Sequence, residues 1–150
     1  MGVVSDPRQK CARPPDSAGR LRLLVADDCP EVVEEIVNLL TPEHDVLRTV
    51  PNGTVLMEAA SELHPDIVVT DFNMPGLNGI DAGSRILQRG LCGGIVLLTM
   101  YNDSQLVKAA IDAGIAGFVH KADAGEELSL AVRRVASGEV YFSRGIAGSI

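Results

Sequence analysis

Tryptophan is absent from this 150-residue chain, and two tyrosines and three phenylalanines are its only other aromatics. That leaves little material for base-stacking platforms on single-stranded nucleic acid. The three cysteines, Cys11, Cys29 and Cys92, stand in neither paired nor CxxC spacing. This excludes a disulfide framework and a structural zinc site, and it suits a reducing compartment. No run approaches the roughly 18 consecutive apolar residues of a membrane span. The start, MGVVSDPRQK, lacks the apolar core of a secretory signal, and Asp6 stands where an N-myristoylation site wants Ser or Thr. The expectation is a soluble, cytoplasmic protein without membrane contact.

Basic charge is outweighed beyond the first twenty residues. Those carry Arg8, Lys10, Arg13 and Arg20 against Asp6 and Asp16, so within a formal charge of -7 the other 130 residues hold -9. An acidic body repels phosphate backbones, and direct binding of nucleic acid is not expected. Apolar residues at 46% and charged residues at 22% are ordinary for a globular protein, and the length allows one domain.

Residues 1–20 have no periodic order and read as a disordered N-terminal tail. From Leu21 to residue 137, compact apolar runs alternate with amphipathic stretches. LRLLVA (21–26), DVLRTV (45–50), DIVVT (66–70), GIVLLT (94–99) and GFVH (117–120) read as strands. Between and after them lie helical stretches at 30–40, 54–63, about 79–89, 104–114 and 126–136. Pro30 suits a first helical turn, where its missing N–H has no partner in any case. In the last helix, Leu128, Ala131, Val132 and Val135 are in register for burial. Strands that are continuously apolar and alternate with helices predict an α/β fold, an open doubly wound five-stranded parallel sheet with helices on both faces.

Ligands of such sheets bind beyond the carboxyl ends of the strands. Strand 1 ends in Asp27-Asp28, strand 3 in Asp71, strand 4 in Thr99 and strand 5 in Lys121; strand 2 ends blandly in Pro51-Asn52. Three packed carboxylates raise one another's pKa unless a cation compensates. Carboxylates with a backbone carbonyl and waters are a Mg²⁺ ligand set, and a Lys and a Thr opposite them are suitable donors to a phosphoryl group. The chemistry indicated is phosphoryl transfer to a carboxylate, with Asp71 on the central strand as the natural nucleophile. No Ser/His or Cys/His constellation competes, since His44 and His64 fall in turns.

Each residue alone has a plainer explanation. A single Asp after a strand is ordinarily a turn or a helix cap, and Asp27-Asp28 could cap the helix that Pro30 opens. Thr99 alone would be a strand end and Lys121 a solvated charge. His120 reads as a strand-end residue, Cys29 and Cys92 as small apolar fillers, and Met57, Met74 and Met100 as packing or loop residues. The functional reading rests on four strands delivering these groups to one sheet edge together.

LLVADDCPEVVEEI, DIVVTDFNMPGLNGIDA, IVLLTMYND and AGIAGFVHKA, in that order, resemble the receiver domain of two-component response regulators over residues 21–137. The C-terminal third resembles receivers of the LuxR-type helix-turn-helix branch. The resemblance implies a flavodoxin-like fold with strand order 2-1-3-4-5, and a signalling switch that catalyses at most its own phosphorylation and dephosphorylation. It implies that a sensor histidine kinase phosphorylates Asp71 with Mg²⁺. Asp28 and Asp71 would ligate the metal by their carboxylates, Asn73 by its backbone carbonyl and Asp27 through water. Lys121 would pair with the phosphoryl group and Thr99 would hydrogen-bond it. Phe118 matches the aromatic switch residue, with plain core packing as the alternative. The changed face would be helix 4, strand 5 and helix 5, and a homodimer through it is expected on phosphorylation.

One departure concerns the residue after Lys121, where many receivers have a Pro in a cis peptide bond; here it is Ala122, and the geometry stays open. Residues 138–150 read as a C-terminal tail or the start of an interdomain linker. They are too few for a three- or four-helix DNA-binding module, so transcriptional control would act through an output domain outside this chain. A stand-alone receiver acting by protein contact is the alternative. A Mg²⁺-dependent aspartyl-phosphate phosphohydrolase of the haloacid dehalogenase type is disfavoured, because its nucleophile belongs in a DxD motif after strand 1. A nucleotide-binding module wants a glycine-rich loop there, and ADDCPE has no glycine.

Overall fold

The computed structural model describes residues 20–148. The expected tail at 1–20 and Cys11 lie, but for Arg20, outside the described residues. The elements run β1 (Arg22–Ala26), α1 (Pro30–Leu40), β2 (Asp45–Val50), α2 (Gly53–Leu63), β3 (Ile67–Asp71), α3 (Gly79–Gln88), β4 (Gly94–Thr99), α4 (Ser104–Asp112), β5 (Gly117–His120), a 3-10 turn (Lys121–Asp123), α5 (Ala124–Ala136), β6 (Tyr141–Phe142) and α6 (Arg144–Ala147).

All pairings are parallel, in the order β2-β1-β3-β4-β5-β6. The flavodoxin-like order 2-1-3-4-5 is therefore present, with one strand more than the sequence predicts. The continuous apolar strands are buried on both sides, as parallel crossovers require. Leu24, Val68, Ile95, Leu97 and Phe118 turn toward α2, α3 and α4. Leu23, Val25, Val69, Val96, Leu98 and Val119 turn toward α1 and α5, where Leu128, Ala131, Val132 and Val135 are buried as expected.

Helix starts follow local chemistry. The side chains of Asn52, Asn78 and Asp103 accept hydrogen bonds from the backbone N–H groups of Val55, Asp81 and Gln105, capping α2, α3 and α4. The left-handed His64 (φ 46°) closes α2 before Pro65, and Gly114 (φ 96°) lies just past α4. Parallel pairing throughout puts every strand's carboxyl end, and the loops that follow, on one side of the sheet.

The segment after Gly138, expected as a tail or the start of a linker, packs on β5 over its described residues. Tyr141 and Phe142 pair with Gly117 and Phe118, and Ile146 is fully buried. β6 has only two residues, so no run or alternation announces it; neighbouring side chains, described below, hold it in place.

Candidate functional site

At the carboxyl edge of β1, β3, β4 and β5 lies a cleft of about 510 Å³ lined by Asp28, Asp71, Asn73, Thr99, Tyr101 and Lys121, among others. One carboxylate oxygen each from Asp27, Asp28 and Asp71 can lie within 4.8 Å of the others. Asp27 and Asp71 are buried, whereas Asp28 faces solvent. The Lys121 ammonium bridges the two buried acids, 3.1 Å from Asp27 Oδ2 and 3.2 Å from Asp71 Oδ1. The Lys121–Ala122 peptide, like the other described peptides, is trans.

Burial pushes the Asp71 carboxyl above the ordinary aspartate value and Asp27 adds to the rise, while Lys121 and the Asn73 backbone N–H pull it back. Burial alone would loosen the Lys121 proton, but Asp71 and Asp27 outweigh it and hold its pKa above the ordinary lysine value. A simple pair would lower the acid as it raised the base. Here one ammonium serves two buried carboxylates, so Asp71 stays under-compensated and basic for an aspartate. That favours attack on an electrophile and binding of a further cation.

Thr99 is buried at the end of β4, and its Oγ1 accepts a hydrogen bond from the Tyr101 N–H at 2.9 Å. Its hydroxyl proton stays available to donate into the cleft. Asn73 is exposed on the rim, and its Nδ2 lies 3.4 Å from the Tyr101 hydroxyl. Asp27 is partly the turn residue of the plainer explanation, since its Oδ1 accepts from the Cys29 N–H at 3.0 Å. Cys29 itself stands at the N-cap of α1 without a side-chain bond to the helix backbone, its Sγ lying 3.7 Å from Glu31 Oε1. Phe118 is not in the cleft; it is buried beneath Phe142, their rings stacked 5.1 Å apart at 14°.

Two supports are not legible from strand ends. Gly79 opens α3 against the Asp71 carbonyl, where a Cβ would come within 2.2 Å of the oxygen; the glycine at the end of the MPGLNG loop is its only sequence signal. Asp123, in the turn after Lys121, accepts from Ser143 Oγ at 2.7 Å, and nothing local in the sequence couples those residues. His120 is a strand-end residue as expected, its Nδ1 accepting from the Ala122 N–H at 3.1 Å. Buried Cys92 lies with its Sγ 3.4 Å from the Gly94 carbonyl.

Residues 23–133 match the response regulator receiver domain family. The nitrate/nitrite response regulator protein NarL of Escherichia coli K12 is 30% identical over 126 residues, which is 83% of this chain and 58% of NarL. This chain thus spans less than two thirds of the length of such curated relatives. A LuxR-family two-component response regulator from Aurantimonas sp. SI85-9A1 superposes with a TM-score of 0.82 and 31% identity, covering 87% of this chain and 95% of that one. The Salmonella typhimurium RcsB response regulator, in a structure concerned with its DNA interaction, gives a TM-score of 0.78 at 25% identity over 87% of this chain and 66% of that one. No helix among the described residues is long and apolar enough to cross a membrane. With residues 23–133 matched and relatives of the LuxR/NarL type on both comparisons, this chain belongs to the response regulator receiver domain family.

Proposed function

We propose that this receiver is a phosphoacceptor in which Asp71 takes a phosphoryl group from a sensor histidine kinase in the cytoplasm. The observation that carries the reading is the buried Asp27–Lys121–Asp71 bridge beside solvent-facing Asp28. Response regulators are signalling switches phosphorylated by sensor histidine kinases, and receivers generally bind Mg²⁺ at their acidic pocket. The all-oxygen donor set fits that ion. Asp28 and Asp71 would hold it by their carboxylates, Asn73 by its carbonyl and Asp27 through water. When bound, Mg²⁺ screens negative charge on the transferred group.

An Asp71 carboxylate oxygen forms a bond to phosphorus as the kinase's P–N bond breaks, and the departing imidazole takes up a proton. The product is an acyl phosphate. Lys121 already holds its ammonium 3.2 Å from Asp71 and pairs with the phosphoryl oxygens. Thr99 donates its free hydroxyl proton to the same group. Charge added at Asp71 then draws on β4 through Thr99 and on β5 through Lys121, so the switched surface is α4, β5 and α5, with Phe118 inside it.

The described structure covers the β5 edge of that surface with β6, so a dimer through it would use α4 and α5 or displace β6. Output runs through a DNA-binding domain outside this chain, and the acidic receiver itself does not touch DNA. The DNA interaction named for RcsB concerns a protein of which this chain covers 66%.

Incubation with Mg²⁺ and acetyl phosphate, followed by intact mass, tests the reading. One phosphoryl group per chain, lost in Asp71→Asn, is expected. Sustained turnover of phosphate monoesters would instead mark a phosphohydrolase. Sedimentation that does not change with beryllofluoride would remove the dimer.

A further inference from the structure

Lys121 lies inside a clamp made by one buried hydroxyl. Ser143 Oγ accepts a hydrogen bond from the His120 N–H at 3.0 Å, immediately before Lys121. The same oxygen donates to Asp123 Oδ2 at 2.7 Å, two residues after it. Ser143 is fully buried. The strap to which it belongs is fastened at further points. The Tyr141 and Ser143 N–H groups donate to the Ala116 and Phe118 carbonyls at 2.8 and 2.9 Å. The Gly145 N–H donates to Asp123 Oδ2 at 2.8 Å, and the Tyr141 hydroxyl to Glu127 Oε1 at 2.6 Å. Phe142 stacks on Phe118.

We propose that residues 139–148 form a latch on β5 whose grip is set by the state of Asp71, phosphorylation loosening it; the inference rests on the phosphoacceptor reading. The Lys121 ammonium is fixed between Asp27 and Asp71, 3.1 and 3.2 Å away. A phosphoryl group on Asp71 adds a tetrahedral group and takes the charge at that spot from about -1 to about -2. Lys121 exchanges its bonds to Asp27 and Asp71 for the phosphoryl oxygens, and the pull falls on the 3-10 turn that Lys121 opens.

Ser143 Oγ is bonded on both sides of Lys121, to β5 at His120 and to the turn at Asp123. A displacement of the turn relative to β5 stretches at least one of these bonds. Asp123 Oδ2 also holds the Gly145 N–H, so the first turn of α6 loosens with it. With two residues in β6 and four in α6 the latch has little backbone pairing, and what holds it besides the clamp is Phe142 on Phe118, buried Ile146, and the Tyr141 and Arg144 bonds to Glu127. Its release frees residues 139–148 from β5, so a receiver can pass a signal along its own polypeptide.

Hydrogen exchange of the Tyr141, Ser143 and Gly145 amides tests this on the full chain, with Mg²⁺ alone and with Mg²⁺ plus beryllofluoride. Fluorine NMR of the same samples reports whether beryllofluoride is bound. Exchange at least about tenfold faster in the bound state is expected. Bound beryllofluoride with unchanged or slower exchange overturns the latch and leaves the phosphoacceptor reading intact. Absence of binding overturns both. Coupling is reciprocal, so Ser143→Ala, which opens the clamp, is expected to tighten beryllofluoride binding by at least about fivefold. Gly145→Ala provides a second route, since its Cβ would meet Asp123 Oδ2 at 2.9 Å. Unchanged or weaker affinity in whichever of these variants folds overturns the proposal.

Discussion

The Nζ of Lys121 lies 3.2 Å from Asp71 Oδ1, joining the turn after β5 to the end of the central strand β3. This contact is also the site's main electrostatic compensation, because Asp71 and Asp27 are otherwise two buried like charges. Removing one partner of a buried pair leaves an uncompensated charge, which typically costs about 3–5 kcal/mol. The Lys121 side chain is 19% exposed in an open cleft, so solvent screens part of that cost.

Lys121→Ala is therefore expected to lower stability by about 1–3 kcal/mol in EDTA, read from urea midpoints. Millimolar Mg²⁺ should stabilise the variant more than the wild type, since a cation then replaces the missing ammonium. Equal midpoints for the two proteins in EDTA would show that Lys121 does not compensate the carboxylates.

The strands and the acidic edge were legible because burial on both faces writes a parallel strand as an unbroken apolar run. The residue that stops each run then marks the carboxyl edge, which is how Asp27, Asp28, Asp71, Thr99 and Lys121 could be grouped without coordinates. β6 was not legible for the opposite reason. Its Tyr141 and Phe142 are held by Glu127 and Phe118, residues of other elements, and a two-residue strand has no period to read. The burial of His44 was hidden in the same way, since a turn histidine looks exposed until α5 is laid across it.

That histidine makes stability depend on pH. His44 is 1% exposed, its Nδ1 facing the Leu21 N–H at 3.4 Å and its Nε2 facing Ser129 Oγ at 3.3 Å. Burial holds its pKa below 6.5; Arg133 and Arg20 act in the same direction, and Glu43 and Asp45 oppose them. Below the ordinary histidine pKa the unfolded chain therefore binds the extra proton first, and stability falls as pH drops from about 6.5. The slope is at most about 1.4 kcal/mol per pH unit for one proton. Glu43, bonded to Ser129 and Arg133, is shifted below 4.5, so its contribution survives above that pH. Urea midpoints should decline between pH 7 and 5.5 in the wild type and decline less in His44→Gln. Parallel profiles for the two proteins would remove His44 as the cause.

Position 79 tests whether the backbone beneath the phosphoacceptor is as tightly set as its side chains. An alanine Cβ there would stand 2.2 Å from the Asp71 carbonyl oxygen and 3.1 Å from the Phe72 Cα, so backbone must move. Overpacking of this kind typically costs about 1–3 kcal/mol. The movement falls on the residue that carries the nucleophile, and a misplacement of about 1 Å can cost on the order of a hundredfold in rate. Gly79→Ala is expected to slow phosphorylation by acetyl phosphate by at least about tenfold, measured by intact mass over time. Gly125→Ala is the matched control, because nothing lies within 4 Å of its Cβ position on α5. It should hold or gain up to about 1 kcal/mol through the less flexible unfolded chain, with the phosphorylation rate unchanged. If Gly79→Ala phosphorylates at the wild-type rate, the contact of α3 with Asp71 does not position the carboxylate.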